Sequence, residues 1–168
     1  MKKLLLLSVL LIFACSSDDS TSDDNNPSNC DVVYLDDNGV TIKACDDAVV
    51  GESGIVNGVS YTIVSGATLN NFIENGDDLT RVCTSRIVDM SELFRNNQIF
   101  NSPIYNWDVS NVLTMSWMFY GAGSFNQDIG NWDVSSVTDM SYMLTGGPFN
   151  QPIGNWDVSS VTNMEQMF

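Results

Sequence analysis

The sequence contains no histidine, and it has only six basic residues against twenty-one acidic ones. Without histidine, the commonest general base near neutral pH and the commonest zinc ligand are both gone. Two of the six basic residues, Lys2 and Lys3, lie at the extreme N-terminus, which leaves Lys43, Arg81, Arg86 and Arg95 for the rest of the chain. A formal net charge of −15 removes any electrostatic case for DNA, RNA or anionic lipid as a partner. There is no P-loop, no G-x-G-x-x-G, no G-x-S-x-G and no C-x-x-C. The carboxylate pairs Asp36-Asp37 and Asp77-Asp78 are sequence neighbours, and they read as solvated turn residues rather than as an acid/base pair. The expectation is a protein that is not an enzyme and carries no cofactor.

Long hydrophobic runs are also scarce. The stretch Leu4–Ala14 is too short to span a bilayer and follows Lys2-Lys3, so it reads as the apolar region of a signal peptide. Ile12-Phe13-Ala14-Cys15 resembles a bacterial lipobox, in which the chain is cut before the cysteine and the thiol is acylated. Residues 1–14 are therefore expected to be a lipoprotein signal peptide. Residues 15–29 are expected to be a lipidated, disordered tether, because Ser16–Asn29 has no hydrophobic residue and carries four aspartates. The run Cys15-Ser16-Ser17-Asp18-Asp19 resembles the acidic export signal of Bacteroidota-type lipoproteins. That resemblance implies lipid anchoring at the outer membrane, facing outward.

Residues 30–81 read as a β-rich cap with a short helix near 67–75. Val32-Val33-Tyr34-Leu35 and Val40-Thr41-Ile42-Lys43 flank the turn signal Asp36-Asp37-Asn38-Gly39 and predict a hairpin. Gly51, Gly54 and Asn57-Gly58 predict further turns, and Val59–Val64 alternates as a half-buried strand. Leu69, Phe72 and Ile73 fall on one face of a helix. With Cys15 acylated, three cysteines remain. Cys30–Cys45 would cross-link the hairpin block, whereas Cys45–Cys83 would staple the cap to the C-terminal half of the chain. Their wide spacing does not suit a metal site.

Residues 82–168 repeat themselves. FNSPIYNWDVSNVLTMSWMF begins at Phe100, FNQDIGNWDVSSVTDMSYML at Phe125 and FNQPIGNWDVSSVTNMEQMF at Phe149. Val82–Phe94 fits the same columns from its middle onward. Phe100/125/149, Ile104/129/153, Trp107/132/156 and Val109/134/158 form apolar columns, as do Met90/115/140/164 and Leu93/Met118/143/167. One such unit cannot bury its own apolar face, but stacked copies bury each other's. The predicted fold class is a repeat solenoid. Trp132-Asp133-Val134 predicts a very short strand, and Val137, Met140, Met143 and Leu144 predict one face of a short helix. Ser85, Ser110, Ser135 and Ser159 stand where an N-cap would sit.

The pattern FNQxIxNWDVSxVTxMxxMF resembles the roughly 25-residue repeat of BspA-like bacterial surface proteins, which are related to leucine-rich repeats. The resemblance implies a leucine-rich-repeat-like solenoid of short parallel strands and short helices. It also implies display on the cell surface and binding of a protein or polymer on a host or neighbouring cell. The alternative is an envelope scaffold lipoprotein facing the periplasm. The last turn stops at Phe168 without a capping segment, so a C-terminally truncated chain is expected.

Several side chains are candidates for function. Asp108, Asp133 and Asp157 recur after the tryptophan. They could line a calcium row, or each could accept backbone N–H groups in its own turn, which is the simpler reading. The paired asparagine columns read as side chains bonded to their own loops. The tryptophan and methionine columns read as core. Trp117, Tyr120 and Tyr142 break the repeat and are therefore the candidate contact residues.

Overall fold

The computed structural model describes residues 30–168. The signal peptide, the acylation of Cys15 and the acidic tether lie outside the described residues. Two antiparallel hairpins open the described chain. Strand β1 (Val33–Leu35) pairs with β2 (Ile42–Ala44), and β3 (Ser53–Val56) pairs with β4 (Val59–Ile63). The second hairpin turns on Asn57 (φ 51°) and Gly58 (φ 80°), the two left-handed residues that a tight hairpin turn requires. Gly54 does not form a turn but sits inside β3. A Cβ there would stand 2.8 Å from Val33 Cγ2, so the glycine is what lets the two hairpins lie close together.

Helix α1 (Gly66–Asn75) comes next. The Ser65 hydroxyl accepts the Thr68 N–H at 3.2 Å and caps its start. Gly76 (φ 72°) ends it, and the Asp77 N–H returns to the Phe72 carbonyl at 2.9 Å. A short 3₁₀ turn (Leu79–Arg81) leads to β5 (Val82–Cys83), which pairs in parallel with β4. The N-terminal sheet thus continues directly into the first repeated segment. Cys30 and Cys45 form a disulfide, and Cys83 is free and buried.

Beyond β5 the described residues contain no helix and no strand of more than a single bridge. The expected helix over 137–144 is a run of turns, and Trp132-Asp133-Val134 is not a strand. The reason lies in where the N–H groups go. Glu92, Trp117, Tyr142 and Gln166 occupy one column, and all four are left-handed, with φ between 46° and 62°. A left-handed residue interrupts helical bonding to the residue four back. It turns the backbone N–H towards the next segment instead.

The outcome is a ladder between segments. Met90, Glu92, Phe94 and Asn96 donate to the carbonyls of Thr114, Ser116, Met118 and Tyr120 at 2.7–3.0 Å. Met115, Trp117, Phe119 and Gly121 donate in the same way to Asp139, Ser141, Met143 and Thr145. Parallel bridges Asp89–Thr114, Thr114–Asp139 and Asp139–Asn163 run beside them. Successive segments therefore lie parallel and in register.

Their apolar columns merge into one core that runs from Val64 to Met167, with Val158 and Met164 of the last segment left exposed. Phe94, Phe119, Phe100 and Phe125 stack with ring centroids 3.7–5.8 Å apart along it. Each tryptophan indole N–H in the repeat column reaches back to a preceding segment. Trp107 donates to the Leu79 carbonyl, Trp132 to Ile104 and Trp156 to Ile129, at 3.0–3.2 Å. A buried ring with a satisfied N–H joins neighbouring segments twice, by packing and by a hydrogen bond. A smaller core under the hairpins holds Val33, Ile42, Cys45, Ile63 and Cys83.

Candidate functional site

The segments present one face on which the left-handed column stands. Its two aromatic members, Trp117 and Tyr142, stack with ring centroids 4.2 Å apart and planes 13° apart. Tyr120 closes on Trp117 at 4.6 Å, and the Arg95 guanidinium lies 4.6 Å from the centre of the Trp117 ring. The three residues that break the repeat thus form one half-buried patch, and Arg95 extends it into the segment before. Register explains the meeting. The in-register ladder sets residues 92, 117, 142 and 166 side by side, and residues 95, 120 and 145 form the next column.

Polar contacts fix both ends of this stack. Arg95 donates to Glu92 Oε2 at 2.9 Å, although both side chains are well exposed and the pair adds little energy. The Tyr142 hydroxyl donates to Glu165 Oε1 at 2.9 Å. That hydrogen bond to a carboxylate, helped by desolvation, pushes the Tyr142 phenol above its ordinary value. Arginine over an indole face at an exposed site contributes about 0.5–1 kcal/mol. Arg95 is not legible as a contact residue from the repeat columns. The available signal is its place among so few cations.

The recurrent aspartates do other work. Asp108, Asp133 and Asp157 each accept, through Oδ1, the N–H of the serine two residues on, at 3.0–3.1 Å. Ser110 and Ser135 donate their hydroxyls to the same carboxylates, so these serines are not the caps. The serine bond depresses the Asp157 carboxyl, its hydroxyl more than its N–H. Asp108 is buried and also takes the Ser85 hydroxyl, whereas Asp133 and Asp157 are exposed. Among the described residues no three metal-ligating side chains gather as a calcium row would need.

The asparagine columns also differ from expectation. Asn101 Oδ1 accepts the Asn126 N–H at 3.0 Å, and Asn126 Oδ1 accepts the Asn150 N–H at 2.8 Å. They bond to the next segment, not to their own loop. In the second column Asn106 donates to the Thr80 carbonyl at 3.1 Å, joining the cap to the repeats. Arg86 forms a second junction, donating to the carbonyls of Cys45, Asp46 and Ala48 at 2.6–3.1 Å. Cys83 lies behind this junction, and burial pushes its thiol up, away from the reactive thiolate.

Parallel segments of near-equal sequence, a shared core and one outward aromatic face define a tandem-segment protein with a presented surface. The chain belongs to the DUF285 family, described as "Mycoplasma protein of unknown function", whose model matches residues 64–168. No curated protein and no solved structure matches it.

Proposed function

We propose that this chain is a BspA-like, lipid-anchored protein of the outer cell surface. Its repeated segments would form a leucine-rich-repeat-like solenoid that binds a protein on a host or neighbouring cell. The observation that carries this reading is the stack of Arg95, Trp117, Tyr142 and Tyr120 on one face. Tryptophan, tyrosine and arginine are the residues that dominate protein-binding hot spots. Fixing their side chains before contact lowers the ordering cost of association. Inter-segment hydrogen bonds and the shared core support the solenoid reading. The family match, over residues 64–168, includes the 82–168 repeats that carry the BspA-like resemblance and supports it. Many weak contacts on a repeating surface would add by avidity. The lipobox-like run ending at Cys15 supports anchoring, and the acidic run after it supports outward display.

The test is to treat intact cells with a non-penetrating protease and follow the chain by antibody, with a periplasmic protein as control. Loss of the chain while the control survives is expected. Survival of both would place the chain in the periplasm and favour an envelope scaffold instead.

A further inference from the structure

A concavity that shares no residue with the aromatic stack lies between the cap and the first two full repeats. It is a cleft of about 620 Å³, within the ordinary range for small-ligand sites. Asn57 comes from the β3–β4 turn, Tyr61 from β4 and Arg81 from the 3₁₀ turn; Tyr105, Asp128 and Asn131 come from two successive repeats. Hydrogen bonds between cap and repeats hold these walls in place. The Ile42 N–H meets the Asn106 carbonyl at 3.0 Å, and Asn106 Nδ2 meets the Thr80 carbonyl.

The repeat columns show that this lining is particular. Tyr105 stands where the next two repeats have Gly130 and Gly154, and Asp128 stands where the repeats on either side have Pro103 and Pro152. Both departures fall at the cleft. Tyr105 is half exposed, and no partner within the described residues takes its hydroxyl, the Tyr61 hydroxyl, or the amides of Asn57 and Asn131. Asn106, the column partner of Asn131, is by contrast buried and bonded. Asp128 spends one oxygen on the Gly130 N–H at 2.9 Å and keeps the other. Arg81 turns its Nε towards Asp78 at 3.3 Å, and its two terminal nitrogens remain for the cleft.

We propose that this cleft binds a neutral carbohydrate. Sugar hydroxyls both donate and accept, and the uncommitted amides and phenols here offer both functions. Vicinal hydroxyls suit the planar guanidinium of Arg81 and the carboxylate of Asp128, which present several donors or acceptors side by side. The C–H face of a pyranose, carrying slight positive charge, suits the electron-rich faces of Tyr61 and Tyr105. One cation and one carboxylate leave the lining without net charge, and the strongly acidic chain disfavours anionic sugars.

The test is affinity electrophoresis of the full chain through gels containing dextran, mannan or galactan, with anionic alginate run in parallel. At least one neutral polymer should retard the chain. Tyr105→Ala and Asn131→Leu should each weaken that retardation about tenfold, a change that ~1.4 kcal/mol produces. Ile99→Ser, at an exposed site outside the lining, should leave it unchanged. Asn131 is exposed, so its variant keeps the test open if Tyr105→Ala unfolds the cap. Retardation by alginate alone, by no polymer, or undiminished in both cleft variants would overturn the proposal.

Discussion

At the scale of single residues, one side chain often serves two segments. The indole of Trp132 fills the core and donates to the Ile104 carbonyl one segment back. Trp132→Phe keeps most of the apolar volume and loses that bond, so stability should fall by about 1–2 kcal/mol, read from the urea midpoint. An unchanged midpoint would mean that the indole N–H joins nothing. Tyr142 gives a second readout. Its phenol is raised by the bond to Glu165, so the stability this bond contributes is present below the ordinary tyrosine range and lost as pH rises through the raised value. Ultraviolet titration should show two late-titrating tyrosines, Tyr34, raised chiefly by burial, and Tyr142; Glu165→Gln should return Tyr142 alone towards the ordinary range. The tryptophan column is legible as core in the sequence, because Trp recurs among Val and Ile. The indole bond is not, since its acceptor lies 27–28 residues away.

Among the elements, local pattern suffices where the contacts are local. Asn57-Gly58 marks a hairpin turn, and Leu69, Phe72 and Ile73 mark a helix, because turn chemistry and 3.6-residue spacing act within a few residues. Pattern fails over 137–144. A 3-3-1 apolar spacing fits a helix face, yet it fits these turns equally well, since their N–H groups find carbonyls a whole segment away. Nothing about a tryptophan or tyrosine announces a left-handed backbone, which costs a non-glycine residue roughly 1–2 kcal/mol. Three inter-segment bonds, from Glu92, Trp117 and Tyr142, accompany that cost. Gly54 reads as a turn for a related reason, since close packing against Val33 is invisible in one strand's sequence. At the cap, Cys30 and Cys45 are separated by 15 residues. Replacing both with serine should cost about 3 kcal/mol in urea unfolding, on the loop-entropy estimate. Buried Cys83 should resist an alkylating reagent until the chain unfolds, and rapid native labelling would contradict its placement.

For the molecule as a whole, repetition turns a weak local pattern into a surface. Each segment adds a slice of core, a set of parallel hydrogen bonds and one more position in each outward column. The candidate contact residues are legible as breaks in the repeat, because a column that need not pack is free to vary. Their assembly into one patch is not legible, because it depends on the register between segments. The most direct test of binding through that patch compares cells displaying the wild-type chain with cells displaying Trp117→Asn, Tyr120→Ala, Tyr142→Asn. Asparagine tolerates the left-handed backbone at positions 117 and 142, so the fold should persist. Cell adhesion would be measured on a panel of immobilised extracellular-matrix proteins, with surface amounts matched by antibody. Wild-type cells should adhere to at least one coat, and the triple variant should lose about tenfold or more of that adhesion. Equal adhesion by both, at equal display, would contradict a contact role for the aromatic face.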